Sequence, residues 1–209
     1  MTAIGPNRCG KTKLIKYLTR KLESRVVVDP RNIGDYSEPE WGPHVSDPAA
    51  LCYLPRAVWH PPLAELRRRD DPNSSWSRGL RYLFEVRGAR SFKEGDTPVL
   101  TVIFDEGRYC APTNPHDGVQ LLYVSGSGKG IGVFTLAQSA FYLTGDAIAQ
   151  AFDLFCFRIQ NAQERARLAG NAQVDVDQLA SLKPHYFMHL PTGAADFSGP
   201  YILPKRFAA

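Results

Sequence analysis

The feature that most constrains this chain is an eight-residue pattern close to its start. Residues 5–12 read GPNRCGKT, which satisfies G-x-x-x-x-G-K-[ST]. The pattern stands between the end of a short strand at Ile4 and an amphipathic helix running to about Ser24, as a phosphate-binding loop requires. The apolar stripe of that helix consists of Leu14, Leu18 and Leu22. The chain is therefore expected to bind ATP at this loop.

Each part of the loop has a physical role in holding a triphosphate. Glycines let backbone N–H groups turn toward the phosphates, and the N-terminus of the following helix adds partial positive charge. Lys11 is expected to reach the β and γ phosphates, and Thr12 to hold Mg²⁺. The predicted nucleotide-binding residues are Gly5, Pro6, Asn7, Arg8, Cys9, Gly10, Lys11, Thr12 and Lys13.

An acidic pair supplies a second half of the predicted site. The nearly all-apolar run 98–104 is typical of a central strand, and it ends in Asp105 and Glu106. Asp105 is expected in the Mg²⁺ shell, and Glu106 is expected to polarise the attacking water as general base. The alternative is a solvated acidic pair at a strand end. With the phosphate loop present, the pair favours ATP hydrolysis over nucleotide binding alone.

Gln138 completes the predicted catalytic set. It follows the apolar strand 132–137, so it is expected at the same sheet edge as the γ phosphate, which it could sense. The alternative is a glutamine that only caps a turn.

The pattern of strands and helices predicts one α/β domain over residues 1–209 with a mainly parallel sheet, which together with the phosphate loop indicates a three-layer P-loop NTPase fold (RecA-like/ASCE). A length of 209 residues with 44% hydrophobic content suits a single substantial core. Further strands are predicted at 25–30, 51–54, 57–60 and 154–159, with an antiparallel edge pair at 185–190 and 201–203. Further helices are predicted at 63–69, 75–86, 117–123, 140–152 and 162–168.

Bulk properties narrow the setting without identifying a partner. The formal charge of +4 permits a polyanionic partner but does not require one. Four scattered cysteines form no CxxC pair, so neither zinc nor a disulfide framework is expected, which fits a reducing cytosol. The first residues do not predict a signal peptide, and the best apolar run, 147–159, is too short and too charged to span a membrane.

A basic strip is a candidate DNA contact. Its basic residues are Arg67, Arg68, Arg69, Arg78, Arg81, Arg87, Arg90 and Lys93, against Asp70, Asp71 and Glu85. Such a strip could neutralise phosphates, with Trp76 and Tyr82 packed beside them. A solvated helix face or a subunit interface explains the pattern equally well, and residues 107–130, with Arg108 and Lys129, are a rival channel surface.

The order of these motifs resembles the FtsK/HerA superfamily of DNA-pumping ATPases. The segments that carry the resemblance are GPNRCGKT, RVVVDP, VLTVIFDEGR and GSGKGIGVFTLAQSAFYLTGDAIAQAFDLFCFRI, and the chain looks most like the genome-packaging ATPases of membrane-containing, tailless icosahedral viruses. The resemblance implies a ring, usually a hexamer, with double-stranded DNA through its centre and active sites at subunit boundaries. It also implies capsid or inner-membrane vertex proteins as partners, and a location in the host cytoplasm or at a packaging vertex of the virion.

The chain departs from this family at one position. The family often carries an arginine within a Gly-Arg pair just before the GIG turn, whereas here Ser127 follows Gly126. Because ring ATPases usually complete each site with a cation from the neighbouring subunit, a replacement is needed. The candidates are Lys129, Arg158 and Arg108. Lys129 would be a less specific substitute, because lysine lacks the guanidinium fork of arginine. Arg158 could instead have a structural role.

Three other functions stay open at the level of sequence. One is another FtsK/HerA-type motor, for conjugation or filamentous-phage assembly, although such motors usually carry membrane helices or added domains. A second is a small P-loop nucleotide kinase, although the paired Asp-Glu with a downstream Gln favours water as the acceptor. The third is a nucleotide-gated regulatory module that hydrolyses ATP slowly.

Overall fold

The computed structural model describes residues 1–32, 36–66, 71–89, 93 and 98–203. In these ranges the strands are β1 Thr2–Ile4, β2 Arg25–Val28, β3 His44–Val45, β4 Arg56–Trp59, β5 Leu100–Phe104, β6 Ile131–Ala137, β7 Asp153–Phe157, β8 Tyr186–Pro191 and β9 Ser198–Ile202. The α-helices there are α1 Lys11–Thr19, α2 Ser75–Arg81, α3 Gly107–Cys110, α4 Asp117–Ser125, α5 Gly145–Ala149 and α6 Ala162–Ala172. These elements form the α/β fold that the motif order predicts.

The strands form one sheet in the order β3-β4-β2-β5-β6-β1-β7-β8-β9. The ladders from β3 to β7 are parallel, and β8 and β9 add two antiparallel strands at one edge. The prediction of a mainly parallel sheet with an antiparallel edge pair is thus confirmed. Ile4 pairs with both Ala137 and Cys156, and Phe104 pairs with Val28 and Thr135, so the ends of five strands lie in register.

Residues that alternate along each central strand enter cores on opposite faces of the sheet. Val27 and Ile103 pack with Leu14 and Ile15 of α1 on one face. Their strand neighbours pack on the other face, against α2 and α4 in one half and against α5 and α6 in the other. Strands buried on both faces consist mostly of apolar residues, which is why the sequence there reads as nearly continuous apolar runs. The result is a three-layer arrangement.

Two predicted boundaries are wrong because arginine side chains hydrogen-bond to backbone carbonyls where the helices end or divide. Helix α1 ends at Thr19 rather than near Ser24. Buried Arg25 donates hydrogen bonds of 2.9 Å to the carbonyls of both Thr19 and Leu22, so these carbonyls are satisfied without further helical turns. The predicted helix 140–152 is divided into a 3₁₀ turn and α5. Arg167 of α6 holds the break, through bonds to the carbonyls of the residues at 140 and 143.

The least regular part of the sequence contains the other differences. The strand predicted at 51–54 is wrong, because Asp47 accepts from the backbone N–H of Ala49 and initiates a 3₁₀ helix over Pro48–Cys52. Residues 63–66 form turns, and the remainder of the helix predicted to Arg69 lies outside the described residues. The predicted strand 57–60 is present as β4. No helix in the described part of the chain is long and apolar enough to cross a bilayer.

Candidate nucleotide-binding site

The carboxyl ends of the parallel strands bring the predicted site residues to one edge of the sheet. In sheet order, these ends are followed by His60 after β4, Asp29 after β2, Asp105 after β5, Gln138 after β6, Gly5 after β1 and Arg158 after β7. In open parallel sheets, ligands bind at the carboxyl ends of the strands, in the crevice that forms where the strand order changes direction. Three distant sequence motifs therefore meet at this edge.

The phosphate loop turns sharply between β1 and α1. Arg8 and Gly10 have φ angles of 59° and 110°, so the backbone is left-handed at both positions before α1 begins at Lys11. The Lys11 ammonium donates hydrogen bonds of 2.7 Å to the Gly5 carbonyl and 2.8 Å to the Pro6 carbonyl. The Lys11 ammonium group is thus bound by carbonyls of the phosphate loop itself. A bound phosphate would compete with these carbonyls for the ammonium group.

Cys9 is part of the packing beneath this loop. Its side chain is buried, with Sγ 3.8 Å from the Lys11 ammonium nitrogen. Burial raises the pKa of the Cys9 thiol, and the positive charge of Lys11 opposes this shift in part. The thiol is therefore protonated at neutral pH and acts as a small apolar group rather than as a nucleophile.

The acidic pair presents its two carboxylates in different surroundings. Asp105 is buried, with 5% of its surface exposed, and its Oδ1 accepts the Glu106 backbone N–H at 3.1 Å. Glu106 has a φ of 66°, a left-handed conformation that is uncommon for a residue with a side chain. This kink ends the extended chain of β5 and begins α3, which the sequence did not predict. Uncommon backbone geometry of this kind occurs most often at functional sites.

Gln138 contacts the predicted general base directly. Its amide nitrogen donates to both carboxylate oxygens of Glu106, at 2.9 and 3.1 Å. On the other side of Glu106, the Arg31 guanidinium lies 3.6 Å from Oε1. Sequence reasoning placed Gln138 at this edge but missed Arg31. The available signal was a basic residue directly after the Asp29-Pro30 pair that follows β2.

The oxygen donors at this edge suit Mg²⁺ and a triphosphate. The Thr12 hydroxyl in the first turn of α1 and the Asp105 carboxylate are the hard oxygen ligands that Mg²⁺ prefers. Within the described ranges, no group of three or more His, Cys, Asp or Glu side chains could hold a metal ion. In triphosphate sites, Mg²⁺ is usually held by one or two protein ligands together with waters and phosphate oxygens.

The three candidate cations occupy different places. Arg158 lines a cavity of about 430 Å³ together with Gly5–Cys9 of the loop, so it faces the site of its own chain. Arg108 is exposed and lies over the Tyr142 ring at 4.7 Å. Lys129 precedes the amino end of β6, packed over the Phe84 ring at 4.7 Å. A seven-residue strand is about 20 Å long, which separates Lys129 from the site of its own chain.

The basic strip is only partly a free surface. Arg67, Arg68, Arg69, Asp70 and Arg90 lie outside the described residues. Arg78, Arg81 and Lys93 are exposed. Arg87 instead donates hydrogen bonds to the carbonyls of Leu51 and Leu54, at 2.9 and 2.7 Å, which is a structural role. Trp76 is 1% exposed, so its suggested place beside DNA phosphates is wrong.

The parallel sheet, with the phosphate-loop sequence between β1 and α1, defines an α/β protein with a P-loop fold. No protein-family model and no curated protein sequence matches the chain. Solved structures do match. One is the genome packaging NTPase B204 from Sulfolobus turreted icosahedral virus 2 in complex with ATP-gammaS, with a TM-score of 0.72, 13% identity, and coverage of 97% of this chain and 96% of that one.

Two further solved structures share the fold at lower similarity. The pCW3 conjugation coupling protein TcpA has a TM-score of 0.53 and 12% identity, with coverage of 100% of this chain and 63% of that one. The N-terminal domain of zonular occludens toxin from Neisseria meningitidis has a TM-score of 0.51 and 14% identity, with coverage of 99% and 95%. These three structures share the fold of this chain, so the resemblance drawn from the motifs is confirmed at the level of the fold.

Proposed function

We propose that this chain is a Mg²⁺-dependent ATPase that translocates double-stranded DNA, packaging a viral genome into a preformed capsid. The observation that carries the proposal is the meeting of the Lys11 loop, the Asp105–Glu106 pair and Gln138 at one sheet edge, with Gln138 bonded to Glu106. These are the parts that phosphoryl transfer to water requires: a phosphate cradle, a metal ligand, a base and a contact to the γ phosphate.

The chain's own residues suggest how hydrolysis proceeds. The loop N–H groups bind the phosphates, and Lys11 exchanges the carbonyls of Gly5 and Pro6 for phosphate oxygens. Glu106 takes a proton from the attacking water while the water oxygen bonds to the γ phosphorus. The bond between the γ phosphorus and the bridging oxygen breaks, and ADP leaves with its electron pair. Thr12 and Asp105 would hold Mg²⁺, which neutralises phosphate charge when bound.

The DNA-packaging part of the proposal is supported by the fold comparison. The TM-score is 0.72 with the viral genome packaging NTPase B204 and 0.53 with the conjugation coupling protein TcpA. Exposed Arg78 and Arg81 on α2 offer a basic surface for the phosphate backbone of a duplex. We further propose a ring oligomer, a hexamer, in which Lys129 reaches the active site of the neighbouring subunit.

Phosphate release from ATP, measured with and without duplex DNA and Mg²⁺, tests this function. We expect Mg²⁺-dependent release that duplex DNA stimulates and that Lys11→Ala abolishes. An equal rate of phosphate release with and without duplex DNA would contradict the translocase function. Phosphoryl transfer to nucleoside monophosphates would identify a kinase instead. Packaging is separated from conjugation or filament assembly by whether the protein binds viral capsid or membrane-vertex proteins.

A further inference from the structure

Glu106, the proposed general base, is held from two sides. Gln138 of the β6 side donates to both of its carboxylate oxygens, and Arg31 of the β2 side lies 3.6 Å from Oε1. The Glu106 side chain is 12% exposed, whereas the Arg31 side chain is 44% exposed. The carboxylate therefore lies in a confined space between an amide and a cation, both of which draw on the oxygens that must accept a proton during catalysis.

The position of Arg31 is set by its own strand and not by Glu106. Asp29, buried at the end of β2, accepts the backbone N–H groups of Arg31 and Asn32 at 3.1 and 3.0 Å. The Asp29 carbonyl in turn accepts a hydrogen bond of 2.7 Å from Nδ1 of His60, at the end of β4. The two neighbouring strands β2 and β4 thus place the Arg31 backbone, and the Arg31 side chain reaches from the end of β2 to Glu106 at the end of β5.

We propose that Arg31 is a positioning residue that restrains Glu106 in the resting enzyme, an inference that rests on the proposed ATPase function. To polarise water beside the γ phosphate, the Glu106 carboxylate must give up at least part of these contacts. Gln138 can exchange its bond to Glu106 for one to the γ phosphate, because it lies between β5 and the phosphate loop. Arg31 lies on the side away from the loop, so its contact persists and slows the release of the base.

Arg31→Ala is expected to change kcat and to leave KM nearly unchanged. Removing the cation in Arg31→Ala lowers the cost of freeing Glu106, so kcat for ATP in the absence of DNA is expected to rise about 1.5- to 5-fold, the range typical of a partly exposed ion pair. KM is expected to stay within about 2-fold, because Arg31 lies on the far side of Glu106 from the loop. Arg31→Lys keeps a cation and is expected to stay close to wild type.

A matched control and a double variant complete the experiment. Arg20→Ala removes an exposed arginine that follows the far end of α1, about 14 Å along the helix from the loop, and should change neither constant. Arg31→Ala combined with Glu106→Gln should show no gain over Glu106→Gln alone, since Arg31 acts through Glu106. A purely structural role for Arg31 would give the same proportional change in both backgrounds, with a lowered Tm.

The outcomes separate this inference from the proposed function. A wild-type protein that releases no phosphate from ATP overturns both. If the wild type is active and the kcat of Arg31→Ala is equal to or below the wild-type kcat, only the proposed restraint is overturned. A lower kcat with unchanged KM would mean that Arg31 stabilises the transition state instead. If Arg31→Ala fails to fold, Arg31→Gln and Arg31→Lys give the same comparison, with a rise expected only for the glutamine variant.

Discussion

Gly5→Ala tests whether the phosphate loop is as closely packed as its geometry indicates. A Cβ on Gly5 would lie 2.5 Å from Cβ of Phe157 and 3.1 Å from Sγ of Cys9. The first distance is about 1 Å short of an ordinary carbon–carbon contact. Cβ of Phe157 is fixed to the backbone of β7 in the middle of the sheet, so rotation of the phenylalanine side chain gives no relief. The loop must move instead.

The expected cost follows from that displacement. Overpacking of a buried site typically lowers the free energy of unfolding by about 1–3 kcal/mol. Since the loop N–H groups move with Gly5, ATP affinity is expected to fall at least about tenfold, as groups held about 1 Å from their productive places lose much of their effect. Urea unfolding measures the first quantity, and titration with a fluorescent ATP analogue measures the second.

Gly170→Ala is the matched control for this prediction. Gly170 lies in α6, and a Cβ there would meet nothing within 4 Å. Alanine at this position should therefore stabilise the protein by up to about 1 kcal/mol through helix propensity, with ATP affinity unchanged. A Gly5→Ala protein with wild-type ATP affinity and less than about 0.5 kcal/mol loss of stability would refute the packing argument, because that range is ordinary for surface substitutions.

Three further predictions follow from the site and its surroundings. Glu106→Gln should lower kcat at least about 100-fold while ATP still binds, as seen by steady-state phosphate release and nucleotide titration; unchanged turnover would point to a regulatory module. Arg87→Ala should lower the free energy of unfolding by about 1–3 kcal/mol, since two partly buried carbonyls lose their donor. Arg81→Ala should cost less, because the bond of Arg81 to the Pro72 carbonyl is exposed to water, and equal values in urea titration would contradict the structural role of Arg87. Lys129→Ala should reduce turnover only at protein concentrations where rings form, and a loss in the isolated subunit would exclude a role across the subunit boundary.

Much of the fold could be predicted because its central strands are buried on both faces. Such strands consist mostly of apolar residues, so the runs at 25–30, 98–104 and 132–137 predict β2, β5 and β6 directly. In the irregular region 31–62, the run 57–60 predicts β4, whereas most of the remainder carries no such pattern. There, local capping by Asp47 produced a 3₁₀ helix where the composition favoured a strand.

The candidate site divides in the same way. The sequence by itself determined the phosphate loop, the acidic pair and Gln138, because each chemical group follows an apolar strand and parallel strands deliver their ends to one edge. Only the tertiary structure decided that Gln138 bonds to Glu106, that Arg31 approaches the same carboxylate and that Arg87 is structural. These contacts join segments from 32 to 75 residues apart, and no periodicity or local propensity encodes which distant side chains the packed sheet brings within hydrogen-bond distance.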